Sequence, residues 1–250
     1  MTRSIAAAAA GLAIALASAS ANAADLKVIS SNALKSVLEE LTPQFEKAND
    51  HKLAITWGAA AVLKVQIEKG APFDFTILTT GAIDDLIKQG KLVAATRTAL
   101  ARSAIGVAVR AGAPKPDISS TEAFKRAMLD AKSISYVEQG ASGIYLKDLF
   151  VRLGIADAIK PKLRLAPTAA AEFVAQGNAE IGMTQISEIL PHKGAELVGP
   201  LPADIQLYTN FAGAMGSEAK QPDAARALIK FLTSPPAAPV IKAKGLDPAT

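Results

Sequence analysis

The chain has 250 residues, half of them hydrophobic, with 17 glycines and 14 prolines, which is enough for one large domain or two small lobes. Its formal net charge is only +4, and its basic residues form no stripe with interleaved aromatic side chains, so we expect no nucleic-acid partner. The absence of cysteine excludes disulfides, thiol catalysis and zinc–thiolate sites.

Residues 1–23 have the pattern of a cleaved signal peptide. Arg3 gives a positive start, residues 5–17 form a weakly hydrophobic run, and residues 21–23 read Ala-Asn-Ala, an A-x-A cleavage site. A retained N-terminal anchor is the alternative, but the run is short for a membrane-spanning helix. No cysteine follows the site to carry a lipid. We therefore expect a soluble periplasmic protein that begins near Ala24.

The first strand and helix predict the kind of site that the chain builds. Residues 26–29 predict a strand, Ser30, Ser31 and Asn32 form a polar turn, and apolar residues at helical spacing predict a helix from Leu34. The first N–H groups of a helix have no partner inside it and carry the positive end of its dipole, so this turn suits an anion. Alternatively, Ser31 or Asn32 is only a helix cap.

Similar units follow along the first hundred residues. We expect strands over 51–57 and 73–78 and helices over 62–69 and 82–89. The small-residue turn over 58–61 brings Ala60 and Ala61 to a strand end. Alternation of strands and helices predicts a mostly parallel sheet, in which ligands bind beyond the carboxyl ends of the strands.

The second half repeats this layout. The patterns predict the following strands and helices: strands over 104–110, 133–137, 163–165, 180–184 and 205–213, and helices over 121–128, 144–153, 168–176, 222–231 and 237–244. A glycine-rich turn over 138–143 carries Ser142 and Gly143, and Gln185 follows the strand over 180–184.

The order of these elements predicts two lobes. The break near 103 and the return strand near 204 indicate a discontinuous first lobe, 24–103 and 204–250, around a continuous second lobe, 104–203. A cleft between two α/β lobes, with helix N-termini facing each other, would suit a small anion.

Several segments together resemble the molybdate-binding periplasmic proteins of ABC transporters. The segments are residues 31–34, the Q-I-E-x-G-A-P-x-D run at 66–74, Gly-Ile-Tyr at 143–145, residues 177–182 and the F-L-x-S-P tail within 227–235. The resemblance implies an α/β, type II periplasmic-binding-protein fold with two lobes that close on an oxyanion. It also implies delivery to a membrane ABC permease. We expect a monomer without a cofactor, and no metal other than that of the oxyanion.

The resemblance also implies a set of ligand-binding positions. The family's two ligand serines fall on Ala33 and Ala60, and its ligand tyrosine falls on Gln185. Backbone N–H donors survive such changes. The predicted ligand-binding residues are Ser30, Ser31, Asn32, Ala60, Ala61, Ser142, Gly143, Thr168, Ala169 and Gln185. We expect molybdate, tungstate, sulfate, another oxyanion or a small organic carboxylate as ligand.

The sequence gives little support for catalysis. His51 and His192 are the only histidines, and neither belongs to a serine-hydrolase pattern, so we expect both on the surface. We expect no enzyme activity, with an exported hydrolase that uses Ser142 as the alternative. Trp57 and Tyr145 are expected in the core, and Arg102 in a surface ion pair.

Overall fold

The computed structural model describes residues 25–249, so the predicted signal peptide lies outside the described residues. Within that part of the chain, none of the helices combines the length and the apolar character that a membrane span requires.

Strands and helices alternate through the first part of the chain. The order is β1 (Asp25–Ser31), α1 (Lys35–Asn49), β2 (Lys52–Gly58), α2 (Ala60–Glu68), β3 (Phe75–Thr79) and α3 (Thr80–Lys88). A single 3-10 turn, Asn32–Leu34, joins β1 to α1. Leu38, Leu41 and Phe45 lie on the buried face of α1, as their helical spacing predicts.

The remaining elements begin with a long strand. They are β4 (Thr98–Arg110), α4 (Thr121–Asp130), β5 (Ile134–Ser135), α5 (Ala141–Arg152), α6 (Ala156–Ile159), α7 (Ala170–Ala175), β6 (Ile181–Gln185), α8 (Ile186–Ile189), β7 (Ala195–Pro200), β8 (Tyr208–Met215), α9 (Pro222–Leu232), α10 (Ala237–Ala243) and β9 (Asp247–Pro248).

The strands form a curled mixed sheet in the order β2-β1-β3-β8-β4-β6-β5, with β7 and β9 also paired to β4. Within it, β1 lies parallel to β2 and β3, and β5 lies parallel to β6. The long strand β4 is antiparallel to its neighbours, pairing with β8 through residues 98–104 and with β6 through residues 105–109. It therefore runs from one half of the molecule into the other.

Separate hydrophobic cores form on the two sides of this crossing. One includes Phe45, Phe75 and Phe211, which come from the beginning and the later part of the chain. Another is built from residues between Ile105 and Ile205. This is the two-lobed fold that the resemblance implies, and the lobe boundaries at 103 and 204 stay predictions.

Several element bounds differ from the predicted ones. Strand β4 begins at Thr98 rather than at 104, because its first residues pair with β8, which lies more than a hundred residues later in the chain. β5 spans two residues, and the strand expected over 163–165 is a single bridge between Ile134 and Leu163. Strand β7 was not predicted at all; its residues are only partly buried and pair with β4.

Polar side chains connect the two halves where the chain crosses. The side-chain amide of Gln206 accepts from the backbone N–H of Ile105 at 2.9 Å and donates to its carbonyl at 3.0 Å. Tyr145 donates its hydroxyl to the carbonyl of Ile205 at 2.7 Å. Both contacts fix the crossing segments next to the second core.

Candidate functional site

A cavity of about 650 Å³ lies between the two halves of the molecule. The first half lines it with Asn32, Lys35, Ser36, Glu39, Trp57, Gly58, Ala59 and Val62. The second half lines it with Val137, Gln139, residues 167–172, Thr184, Ser187, Glu188, Pro191 and His192. These residues come largely from the carboxyl ends of β1, β2 and β6, where the strand–turn–helix pattern predicts a site.

The first wall supplies hydrogen-bond donors. Lys35 and Ser36 begin α1, and Ala59 is the N-cap of α2, whose first amides, at Ala60 and Ala61, have no partner inside the helix. Ser36 is 8% exposed, and its hydroxyl has no hydrogen-bond partner within residues 25–249. An unpartnered buried hydroxyl beside helix amides is suited to a bound acceptor such as a carboxylate.

The cationic charge of the cavity comes from one side chain. Lys35 is the single lysine or arginine among the lining residues, and its ammonium lies 3.8 Å from Glu39 at the partly exposed edge. The helix dipole favours acidic residues in the first turn of a helix, so it does not explain a lysine at the start of α1. Its position therefore makes it available to a ligand's negative charge.

The second wall brings a carboxyl group into the cavity. Glu188 is in the first turn of α8 and is partly buried. The hydroxyl of Thr184 donates to its Oε2, and the backbone N–H of Gln185 also hydrogen-bonds to it. Burial raises the pKa of Glu188 more than these two hydrogen bonds lower it. None of the ion pairs found within residues 25–249 involves Glu188.

Three of the predicted ligand-binding residues line this cavity, namely Asn32, Thr168 and Ala169. Ser30 is fully buried in β1, and Ser31 is the N-cap of the 3-10 turn, accepting from the N–H of Ala33 at 3.4 Å. Ala60 and Ala61 are the first residues of α2, directly behind the lining residue Ala59. Their ligand-binding roles stay predictions.

Ser142, Gly143 and Gln185 lie outside the cavity lining. Ser142 and Gly143 belong to the first turn of α5, whose start comes three residues before the predicted one. Gln185 is 3% exposed and donates its amide N–H to the hydroxyl of Thr209 at 2.8 Å, which ties β6 to β8. Its Oε1 has no hydrogen-bond partner within residues 25–249.

The sequence patterns did not identify most of the lining residues, including Lys35. Ser36 and Glu188 were not considered, Trp57 was expected in the core, and His192 on the surface; Trp57 and His192 are half-buried at the cavity. The one sequence signal for Glu188 is its place three residues after Gln185, the capping-box spacing at a strand end. The others become visible only when the two halves face each other.

The alternative of a serine hydrolase finds no support in this geometry. Ser142 is 4% exposed, and no histidine hydrogen-bonds to it within the described residues. Residues 25–249 also contain no group of three or more histidine, aspartate or glutamate side chains placed to hold a metal ion. Arg102 forms the expected surface ion pair, with Asp247 at 3.0 Å.

Comparison with known proteins gives consistent matches over nearly the whole chain. The sequence profile of the family described as bacterial extracellular solute-binding protein matches residues 26–247. An aconitate isomerase from Pseudomonas sp. is 36% identical over 230 residues, which cover 89% of this chain and 87% of that protein. The molybdate-binding protein ModA of Azotobacter vinelandii is 29% identical over 231 residues, covering 89% of this chain and 90% of that protein.

A solved structure shares the architecture. The periplasmic molybdate-binding protein of Azotobacter vinelandii superimposes with a TM-score of 0.74 at 20% identity, covering 90% of this chain and 100% of that one. The fold class predicted from the sequence and the resemblance to molybdate-binding proteins are thus confirmed.

The expectation that this chain has no enzyme activity is wrong, because the relative at 36% identity is an enzyme, an aconitate isomerase. The sequence lacks a nucleophile with a histidine base, but an isomerase does not need that arrangement. The carboxyl group of Glu188 in the cleft belongs to no such pattern.

Proposed function

This chain belongs to the bacterial extracellular solute-binding protein family, and from that premise we propose that it binds and isomerises a small unsaturated polycarboxylate of the aconitate type. The observation that carries the proposal is the carboxyl group of Glu188 inside the cleft of a chain that is 36% identical to an aconitate isomerase. A carboxyl group is a suitable acid or base for an organic substrate, whereas the binding of a bare oxyanion makes no use of one.

The size of the cavity supports an organic ligand. About 650 Å³ lies within the range of roughly 300–1,000 Å³ that is common for small organic ligands. The cavity walls combine apolar surface, from Trp57, Val62 and Val137, with the polar groups of Asn32, Ser36 and Thr184. Apolar surface serves a carbon skeleton and has no use against a bare oxyanion.

The donors at the cavity edge support a ligand with several carboxylates. Lys35 and the amides at the start of α2 lie on one wall, and the backbone of Thr168 and Ala169 lies on the other. Groups on both walls can each hold one end of the same molecule.

The proposal also covers the location of the protein and its partner. A signal-peptide pattern at residues 1–23 and the extracellular description of the family support a periplasmic protein. Delivery of the ligand to a membrane ABC permease, by a monomeric protein, remains compatible with isomerisation in the same cleft.

A second function, capture of molybdate or a related oxyanion, is favoured by the 29% identity to a molybdate-binding protein. Two features oppose it. The family's ligand serines are replaced here by Ala33 and Ala60, and Glu188 adds a carboxyl group to the cavity. We therefore place it second.

Isothermal titration calorimetry with the mature protein distinguishes these ligands. We expect saturable binding of cis- and trans-aconitate, and binding of molybdate, tungstate and sulfate that is at least tenfold weaker. Lys35→Met should weaken aconitate binding by about tenfold, the effect of losing roughly 1.4 kcal/mol. The matched control is Lys47→Met, which removes an exposed lysine near the other end of α1, outside the cavity lining.

Equal loss of affinity in the Lys35 and Lys47 variants would show that only the overall charge matters. Molybdate binding as tight as aconitate binding would favour the oxyanion receptor instead.

A further inference from the structure

We propose that Glu188 is the catalytic residue that removes and returns the proton during isomerisation, an inference that rests on the proposed function. The side chain lies in the cavity lining, at the carboxyl end of β6, where the strand–helix junction faces the other lobe.

The carboxyl group is fixed in position before any ligand binds. Thr184, 4% exposed at the end of β6, donates its hydroxyl to Oε2, and the N–H of Gln185 hydrogen-bonds to the same carboxyl group. A positioned base loses little orientational freedom when the substrate arrives. Both donors belong to residues of β6, so the position of the Glu188 carboxyl group does not depend on a loop.

The other titratable groups of the cavity are less suited to this role. Lys35 and Glu39 face each other across 3.8 Å on α1, and Glu172 is exposed on α7. His192, in the turn after α8, is the remaining candidate base. No side-chain hydrogen bond to the imidazole of His192 is found within the described residues, whereas Glu188 has two donors holding it.

The chemistry balances with one carboxyl group and no co-reactant. The carboxylate of Glu188 takes a proton from the methylene carbon of the unsaturated polycarboxylate, and the C–H electron pair joins the adjacent double bond as an allylic anion conjugated with the substrate carboxylates. The Glu188 carboxylic acid then returns the proton to the carbon at the other end of the allylic system. The double bond has moved by one position, and enzyme and substrate have gained and lost nothing.

Burial supports this assignment energetically. A carboxyl group whose pKa lies above the ordinary value is a stronger base when ionised and a competent acid after it takes the proton. General acid–base catalysis by a positioned side chain accounts for about 10²–10⁴-fold in rate.

A structural role for Glu188 must be separated from a catalytic one. Gln185 is the N-cap of α8 and Glu188 is the third residue of that helix, so the bond to the Gln185 N–H is half of a capping box. Glutamine also serves at that position of a capping box. Glu188→Gln therefore keeps the cap and the shape while it removes the base.

The test compares three variants of the mature protein for turnover of cis-aconitate, binding of trans-aconitate and thermal unfolding. We expect Glu188→Gln to lose about 10²–10⁴-fold in kcat, while it still binds trans-aconitate and unfolds within a few degrees of the wild type. The matched control Glu122→Gln removes an exposed carboxylate on α4, outside the cavity lining, and should retain kcat within threefold. His192→Gln tests the competing base.

The outcomes distinguish a wrong assignment of Glu188 from a wrong proposed function. If the wild type turns over cis-aconitate and Glu188→Gln retains kcat within threefold, the assignment of Glu188 is wrong. A large loss of kcat in His192→Gln instead would also overturn that assignment. In both cases the proposed isomerase function is unaffected. A Glu188→Gln variant that neither binds nor folds normally assigns the residue to structure and also overturns it. Absence of turnover by the wild type overturns the proposed function, and the inference falls with it.

Discussion

Replacing Gly143 with alanine is expected to destabilise the protein by about 3 kcal/mol, measured as the free energy of unfolding in urea. A Cβ at this position would lie 1.9 Å from the carbonyl oxygen of Val137 and 2.8 Å from its carbonyl carbon. Both atoms belong to the backbone, so no side-chain rotation relieves the clash. The first turn of α5 must move away from the end of the preceding strand segment.

The same change should weaken ligand binding, because Val137 and Gln139 line the cavity. Gly81→Ala is the matched control: Gly81 also lies in a helix, α3, and a Cβ there meets nothing within 4 Å. Since alanine has the better helix propensity, this control should be neutral or stabilising by up to about 1 kcal/mol. Equal stability changes in the two variants would show that the contact with Val137 is not what requires glycine.

Replacing Asp74 with alanine is expected to cost about 4 kcal/mol of unfolding free energy, because it removes a buried carboxylate that is the acceptor of three backbone N–H groups. The carboxylate of Asp74 is 3% exposed and accepts from the N–H of Lys27 at 2.8 Å, of Lys220 at 2.6 Å and of Gln221 at 3.0 Å. It therefore connects β1, the start of β3 and the segment that leads into α9.

For a protein whose whole stability is roughly 5–15 kcal/mol, such a loss is large, and urea denaturation followed by circular dichroism measures it. Asp223→Ala is the control, since its side chain is 96% exposed in the first turn of α9 and its one ion pair within residues 25–249 is with Arg226. It should cost no more than about 1 kcal/mol, the usual contribution of an acidic residue at a helix N-terminus. If Asp74→Ala behaved like Asp223→Ala, the three hydrogen bonds would not be holding this corner of the first lobe together.

The spacing of apolar residues was sufficient to predict the helices whose buried face is formed by their own sequence pattern. The stripe that includes Leu38, Leu41 and Phe45 predicts α1, and the Gln-Ile-Glu run predicts α2 as far as its glycine stop. Asp74, at the end of that run, belongs to the motif that carries the family resemblance. In the structure its carboxylate accepts hydrogen bonds from three backbone N–H groups of distant segments.

What the sequence could not predict depends on contacts between distant segments. The first half of β4 is a strand because β8 pairs with it, and Gln185 is withdrawn from the cavity lining because its amide bonds to Thr209 of β8. Gly143 reads as part of an anion-binding turn, but it is the carbonyl of Val137 that leaves no room for a side chain.

Only part of the candidate site could be predicted from the sequence, again because the rest depends on contacts between distant segments. Asn32 was predicted from its strand–helix junction, and Thr168 and Ala169 from the family resemblance; the structure brings all three to one cavity. Glu188 was not found, because its raised pKa and its exposure to the ligand space arise only when its helix faces the first lobe. A search for nucleophile and histidine patterns could not detect a base of this kind.

The most direct test of the account is to incubate the purified mature protein separately with cis-aconitate and with trans-aconitate and to follow both isomers by proton NMR. We expect both reactions to approach one common mixture of isomers, at a rate that is proportional to the protein concentration. Unchanged spectra from both starting isomers, in a preparation that binds molybdate tightly, would contradict the account.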